Sequence, residues 1–205
     1  TIAIAIGILG KPNKPNYKII PTIKKRVVYD LTSTEIKNAH VLVVGGGDSA
    51  SEYCQFLSDD KAQNKVSLSY RGNTILRMND LNKDSLLTMT GTQKVKLMFD
   101  SNIKGLSDLE GKPKVHFAEE QYSDTVYDYI VYALGGTSPE NFLKTVGITF
   151  DGQYPILKED FETSVTGLFL LGDLSAGKKG GSIIWAFNSA NTAMRKICST
   201  YLDRV

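Results

Sequence analysis

The strongest constraint on this chain lies between His40 and Tyr70. His40-Val41-Leu42-Val43-Val44 is apolar and β-branched at its centre, which reads as a buried strand. It runs directly into Gly45-Gly46-Gly47-Asp48-Ser49-Ala50, and Ser49 to Leu57 continues as a helix with few breakers. Lys65 to Tyr70 supplies a second strand and closes a βαβ unit of the usual ~30 residues. The glycines and Ala50 fit the pattern G-x-G-x-x-A, on Gly45, Gly47 and Ala50. Gly45 permits the tight turn, Gly47 lets backbone approach a pyrophosphate, and Ala50 lets the helix pack on the strand. Asp48 and Ser49 open the helix, whose free N–H groups then face the phosphates. The unit implies a dinucleotide site. A glycine turn in an ordinary α/β domain is the plainer alternative.

The end of the second strand bears on which dinucleotide. A reader of the NAD ribose needs a carboxylate there, yet no Asp or Glu lies between Val66 and Met78. Arg71 stands in that place, and its planar fork suits the 2′-phosphate of NADP(H). Arg77 is a candidate second cation for the same phosphate. A solvated surface charge is the plainer alternative for each arginine, more so for Arg77.

The flanking segments extend the pattern. Thr1 to Gly7 reads as a strand buried on both faces, as in the core of a parallel sheet. Such a strand needs neighbours on both sides, so a piece of a longer protein is expected. Gly10 to Asn16, with Pro12 and Pro15, reads as a linker or crossover. Arg26 to Tyr29 reads as a short strand. Lys94–Phe99, Ile103–Leu109, Lys114–Phe117 and Thr125–Val131 read as a β-meander that ends in a buried strand, Tyr129 to Ala133. Leu134 to Pro139 is a loop. Gly167 to Asp173 is a buried strand ending in Gly172-Asp173, and a loop with Lys178, Lys179 and Gly180 leads to a helix over Ser182–Leu202. An acidic residue at a strand's carboxyl end before a glycine-opened helix suits a ribityl or ribose hydroxyl; helix capping is the plainer reading. Trp185 and Phe187 are expected in the core, and His40 and His116 are expected to be structural.

Composition narrows the field. Lys+Arg number 24 against 22 Asp+Glu, a balance that argues against a basic tail and nucleic-acid binding. Hydrophobic residues are 41%, enough for a core. Cys54 and Cys198 are too isolated for a disulfide framework or a zinc site, and two histidines argue against a histidine-built metal centre. No apolar run approaches the ~18–20 residues of a membrane span. A soluble, reduced, cytoplasmic protein is expected.

Taken in order, these motifs resemble thioredoxin-reductase-like flavoproteins that bind two dinucleotides. Ala5-Ile6-Gly7 with Pro12 resembles the crossover that leaves the FAD domain. Gly45 to Ala50 with Glu52 is similar to the GGGxSAxE segment of the NADPH domain. Ala133-Leu134-Gly135 with Pro139 resembles the second crossover, and Gly172-Asp173 with the helix at Ser182 the returning FAD segment. The resemblance implies an α/β fold: a Rossmann-like NAD(P)-binding domain with a β-meander over 13–142, plus parts of an FAD-binding domain over 1–12 and 143–205. It implies that Asp173 bonds the FAD ribityl chain, that the Ile183 N–H faces the flavin, and that Glu52 helps place the nicotinamide. It also implies that Arg71 holds the 2′-phosphate.

Two departures refine it. Thioredoxin reductases carry a CxxC before the glycine loop, whereas Arg26 to Thr32 holds no cysteine. The chain is therefore more similar to the CxxC-less branch, the ferredoxin– or flavodoxin–NADP reductases, and the segments Gly7–Pro21 and Ser69–Asp80 most resemble a flavodoxin–quinone reductase. The family's first strand-GxGxxG motif is also absent, so this stretch alone is expected to bind NADP(H) without retaining FAD. The expected partner is flavodoxin, ferredoxin or a quinone, with a homodimer as one assembly. A disulfide reductase, a flavin monooxygenase and a non-catalytic NADP-binding module are the alternatives.

Overall fold

The computed structural model describes residues 1–7, 12–136, 139–177 and 181–202. Parts of three expected loops, at Lys11, at Thr137 and Ser138, and at Lys178, Lys179 and Gly180, lie outside the described residues. The chain forms two compact units: Pro12–Gly135, and Thr1–Lys11 together with Gly136–Val205.

In Pro12–Gly135 the alternation of apolar residues builds a five-stranded parallel sheet with both faces covered. Its strands are β2 (Val27–Val28), β3 (His40–Gly45), β4 (Lys65–Ser69), β5 (Val95–Met98) and β9 (Tyr129–Ala133), in the order β2-β9-β3-β4-β5. Along β3, Val41 and Val43 point to one face, where α1 (Asp48–Leu57) and α2 (Asp80–Gly91) supply Ala50, Cys54, Leu57, Leu86 and Met89. Leu42 points to the other, onto Met98, Leu106, Val115, Phe117 and Ile130. That second face is covered by an antiparallel meander of β6 (Ile103–Leu109), β7 (Lys112–Phe117) and β8 (Thr125–Val126). Period-two alternation on a sheet sandwiched between two layers explains why β3 reads as continuously apolar.

Three readings change here. The stretch Lys94–Phe99, expected in the meander, is β5 and extends the parallel sheet beside β4. Its four-residue core does not reveal whether its partner is near or far in sequence. α2 is an additional helix, begun by Asn79, whose side chain accepts from the Asn82 N–H at 2.9 Å. A 3-10 turn, Pro21–Arg26, precedes β2. The proline-bearing lead-in is held down by Tyr17, whose hydroxyl meets that of Tyr132 at 2.8 Å.

In the other unit, β1 (Ile2–Ile4) pairs in parallel with β12 (Leu168–Leu170). The expected burial of β1 is not found: Ile2 is 64% exposed. Leu168 to Leu170 is buried throughout, between a cluster with Leu143 and Ile148 and another with Ala193 and Ile197. The unit also contains α3 (Glu140–Thr145), a two-residue-strand hairpin of β10 (Phe150–Asp151) and β11 (Tyr154–Pro155), and α4 (Ile183–Ile197), which ends in a π-helical turn, Cys198–Leu202.

One buried carboxylate ties these pieces. Glu162 is 3% exposed and accepts hydrogen bonds from the Gly167 N–H at 2.7 Å, from Lys158 Nζ at 2.6 Å and from the Tyr201 hydroxyl. The Gly167 N–H, then Lys158 and Tyr201, hold its carboxyl down at about 2 against an ordinary 4.5. The folded value lies below the unfolded one, so the ionised form favours folding. The stability difference between wild type and Glu162→Gln is expected in full above about pH 4.5 and to shrink as pH falls towards about 2. Urea unfolding across a pH series measures it. A gap that stays constant down to about pH 3 would show that the charge is not used.

Candidate functional site

The glycine loop sits where the strand order reverses. The chain leaves β3 through α1 to β4 on one side, while β9 lies on the other side of β3. In doubly wound sheets the crevice at such a switch point, outside the carboxyl ends of the strands, is where ligands bind. Gly45 ends β3 in register with Ala133, the end of β9. A Cβ at Gly45 would lie 2.4 Å from the Ala133 carbonyl oxygen, so only glycine lets the two strand ends approach this closely. At Gly46 a Cβ would lie 2.0 Å from the ring of Tyr70. At Gly47, the residue capping α1, a Cβ would meet nothing within 4 Å. Open space therefore lies in front of the first turn of α1, with Ala50 fully buried beneath it.

Gly45, Gly47, Asp48, Ser49 and Ala50 thus form one turn, with Ala133 against it. Gly135, two residues past β9 with φ of 74°, is bonded through its carbonyl to the Asn13 N–H at 2.9 Å. Arg77 is brought to the loop by a parallel bridge between its backbone and Gly47. Arg71 lies in the turn after β4. Both arginines are exposed, and neither has a carboxylate partner among the described residues. Glu52 is exposed on α1, where its Oε1 accepts from Asn82 Nδ2 at 3.3 Å. Open space before a helix N-terminus, together with two guanidinium groups that have no carboxylate partner among the described residues, fits a dinucleotide carrying an extra phosphate.

The other unit gathers Gly172, Asp173, Ser182 and Ile183 around a cleft of about 480 Å³. Gly172 and Asp173 begin a 3-10 turn after β12. Ser182 caps α4, its hydroxyl accepting from the Trp185 N–H at 3.0 Å. Gly172 N–H donates to Ser189 Oγ at 3.0 Å, which fixes the turn against α4. A Cβ at Gly181 would lie 1.7 Å from Asp173 Oδ1, so backbone and carboxylate are in close contact there. Phe187, expected in the core, is 74% exposed, as is most of Ile183 and Ile184. Trp185 is half-buried, with its ring N–H on Ser175 Oγ at 3.0 Å.

The remaining chemistry-bearing residues are engaged locally. His116 bridges Ser107 Oγ at 2.7 Å and Asp124 Oδ2 at 2.6 Å on the meander. The His40 ring lies tilted against Tyr127, and burial lowers its pKa. No cluster able to hold a metal ion occurs among the described residues, and no helix among them is long and apolar enough to cross a membrane.

A family model described as pyridine nucleotide-disulphide oxidoreductase matches residues 1–172. The chain belongs to this family. It is 28% identical over 185 residues to a ferredoxin–NADP reductase of Ignicoccus hospitalis, covering 87% of this chain and 57% of that one. It is 26% identical over 192 residues to the bacilliredoxin reductase Bdr of Bacillus subtilis, covering 89% and 57%. Among solved structures, thioredoxin reductase of Lactococcus lactis superposes with a TM-score of 0.81 at 20% identity, over 98% of this chain and 66% of that chain. Bacillithiol disulfide reductase of Bacillus cereus gives 0.79 at 18%, over 96% and 61%. The fold is that of these flavoproteins, and the chain spans little more than half the length of the curated relatives it matches.

In this family member the glycine loop can be dissected by stability alone. Gly45→Ala forces a Cβ against backbone and is expected to cost ~1–3 kcal/mol. Gly47→Ala points into open space and is expected to stay within about 0.5 kcal/mol of wild type. Chemical denaturation of both variants measures the contrast, and equal losses would contradict it.

Proposed function

We infer that this chain is the NADPH-binding part of an NADPH-dependent flavoprotein oxidoreductase that passes electrons by way of FAD to a flavodoxin, a ferredoxin or a quinone. The observation that carries this reading is the open glycine loop at the switch point, with Arg71 and Arg77, which have no carboxylate partner among the described residues, where a carboxylate would read the ribose of NAD. Pro12–Gly135 is then the NADPH domain, and the second unit belongs to the FAD domain. Gly45, Gly47 and the first turn of α1 hold the pyrophosphate, and the two arginines hold the 2′-phosphate. Asp173 holds a ribityl hydroxyl, and Ile183 at the start of α4 presents its N–H to the flavin. FAD, when bound, supplies the chemistry of accepting hydride and releasing single electrons. No side chain of this chain need act as acid, base or nucleophile.

The two cysteines of this stretch are far apart in sequence and differ in exposure. Cys54 is fully buried in α1, and burial pushes its thiol up to about 12, far from the reactive thiolate range. Cys198 is free and exposed at the end of α4. This stretch carries no C-x-x-C pair of its own, which is the feature that likens it to the CxxC-less branch.

Charge distribution favours an acidic redox protein over a quinone as acceptor. The near-neutral total conceals an uneven chain: the first 29 residues hold six of the 24 cations and no Asp or Glu. Lys14, Lys18, Lys24 and Lys25 are exposed, and none pairs with a carboxylate among the described residues. Such a run attracts an acidic partner at low salt.

Two measurements test these readings. Titration calorimetry is expected to give tighter binding of NADPH than NADH, and Arg71→Ala should weaken NADPH roughly ten- to a hundredfold with little change for NADH. Equal affinities in the wild type would overturn the cofactor assignment. An acidic flavodoxin should bind this chain at low salt and lose most affinity at ~0.3 M salt or when the four lysines are changed to Glu. Binding indifferent to both would point to a neutral acceptor.

A further inference from the structure

The glycine loop is tied to the start of the following helix as well as to its own. Asp48 Oδ1 accepts from the Asn79 N–H at 2.9 Å and from Asn82 Nδ2 at 3.0 Å. Asn82 is the hub of this contact. Its backbone carbonyl accepts from Ser51 Oγ at 2.8 Å, its amide oxygen from Gln55 Nε2 at 3.1 Å, and its Nδ2 also reaches Glu52 Oε1 at 3.3 Å. The four α1 partners, Asp48, Ser51, Glu52 and Gln55, fall at i, i+3, i+4 and i+7, so they form one stripe along the helix. A polar stripe of this kind holds two helix starts in register by directional bonds, which apolar packing alone would not fix.

Arg77 lies inside this clamp. Its backbone bridges Gly47, Asn79 two residues on is bonded to Asp48, and Ile75 and Met78 on either side are buried. The guanidinium is left exposed on a backbone fixed at several points. Arg71 is carried by a separate turn, whose neighbours Tyr70 and Gly72 bond to Met98, Ser101 and Asp100. The two arginines are therefore positioned by independent sets of bonds.

We propose that Asn82 is a positioning residue for the 2′-phosphate: through Asp48 it fixes the 77–79 segment to the glycine loop, and so sets Arg77 beside the phosphate. This rests on the NADPH reading above and adds a residue that does not itself touch the dinucleotide. Pre-ordering the backbone lowers the ordering cost of binding, so losing the clamp should reduce preference for the 2′-phosphate rather than nucleotide binding as a whole.

The test is a double-mutant cycle on the full chain, titrated with 2′,5′-ADP and with 5′-AMP. The readout is the ratio of the two affinities. Asn82→Ala is expected to lower the preference for 2′,5′-ADP by roughly tenfold. Combined with Arg77→Ala it should add little further loss, and combined with Arg71→Ala the two losses should multiply. A residue that merely stabilises the fold would multiply with both. Asp48→Asn, which keeps the side chain's size while weakening the same clamp, repeats the cycle should the alanine variant prove unfolded by circular dichroism. An unchanged preference, or losses that multiply with Arg77→Ala, overturns the proposal. A wild-type chain that binds both nucleotides alike overturns the NADPH reading itself, and the role of Asn82 with it.

Discussion

The approach of Gly45 to the Ala133 carbonyl governs much of this structure. Because position 45 carries no side chain, the ends of β3 and β9 close up at the point where strand order reverses. That closure sets α1 at the mouth of the crevice, and α1 in turn receives α2 along its polar stripe. A side chain at 45 would push β9 away from β3, and with it the segment Leu134–Gly135 that Asn13 clips through its backbone N–H and its side-chain amide. The central crevice and the chain's crossing point are in this sense one packing problem.

The parts that were legible in the sequence are those whose signals are local. The β3–glycine–α1–β4 unit follows from β-branched apolar residues, a turn without side chains and a helical continuation within thirty residues. Its strand bounds differ from expectation by a residue or so at the ends. Gly172-Asp173 followed by a capped helix was legible for the same reason. What was not legible depends on distant partners. β5 has the length and alternation of a meander strand, and only its long-range pairing with β4 assigns it to the parallel sheet. Ile2 and Phe187 look like core residues by composition, yet their exposure depends on what packs over them.

α2 was not legible for a different reason. Its hydrophobic pattern is weak, with only Leu86 and Met89 buried, so a search for apolar periodicity passes over it. The available signal was Asn79 followed three residues later by Asn82, a capping residue with an amide one turn on. Asp48, Ser51, Glu52 and Gln55 also repeat at helical spacing in polar form. The periodicity of side chains that can hydrogen-bond carries register information just as apolar periodicity does.

Tyr70 shows how tightly the glycine loop and the turn after β4 are bound to each other. One edge of its ring occupies the space a side chain at Gly46 would need, and its opposite edge lies 3.1 Å from where a Cβ at Gly72 would be. The ring is a wedge between two glycines, one in each turn, with Phe99 edge-on behind it at 6.4 Å between centroids. Positions 46, 70 and 72 therefore share a single volume. A larger residue at either glycine requires a smaller ring, and a smaller ring leaves a gap that larger residues could fill. The turn after β4 cannot be exchanged for that of a relative without carrying the middle glycine of the loop along with it. Any redesign of either turn must treat these three positions as one unit of variation.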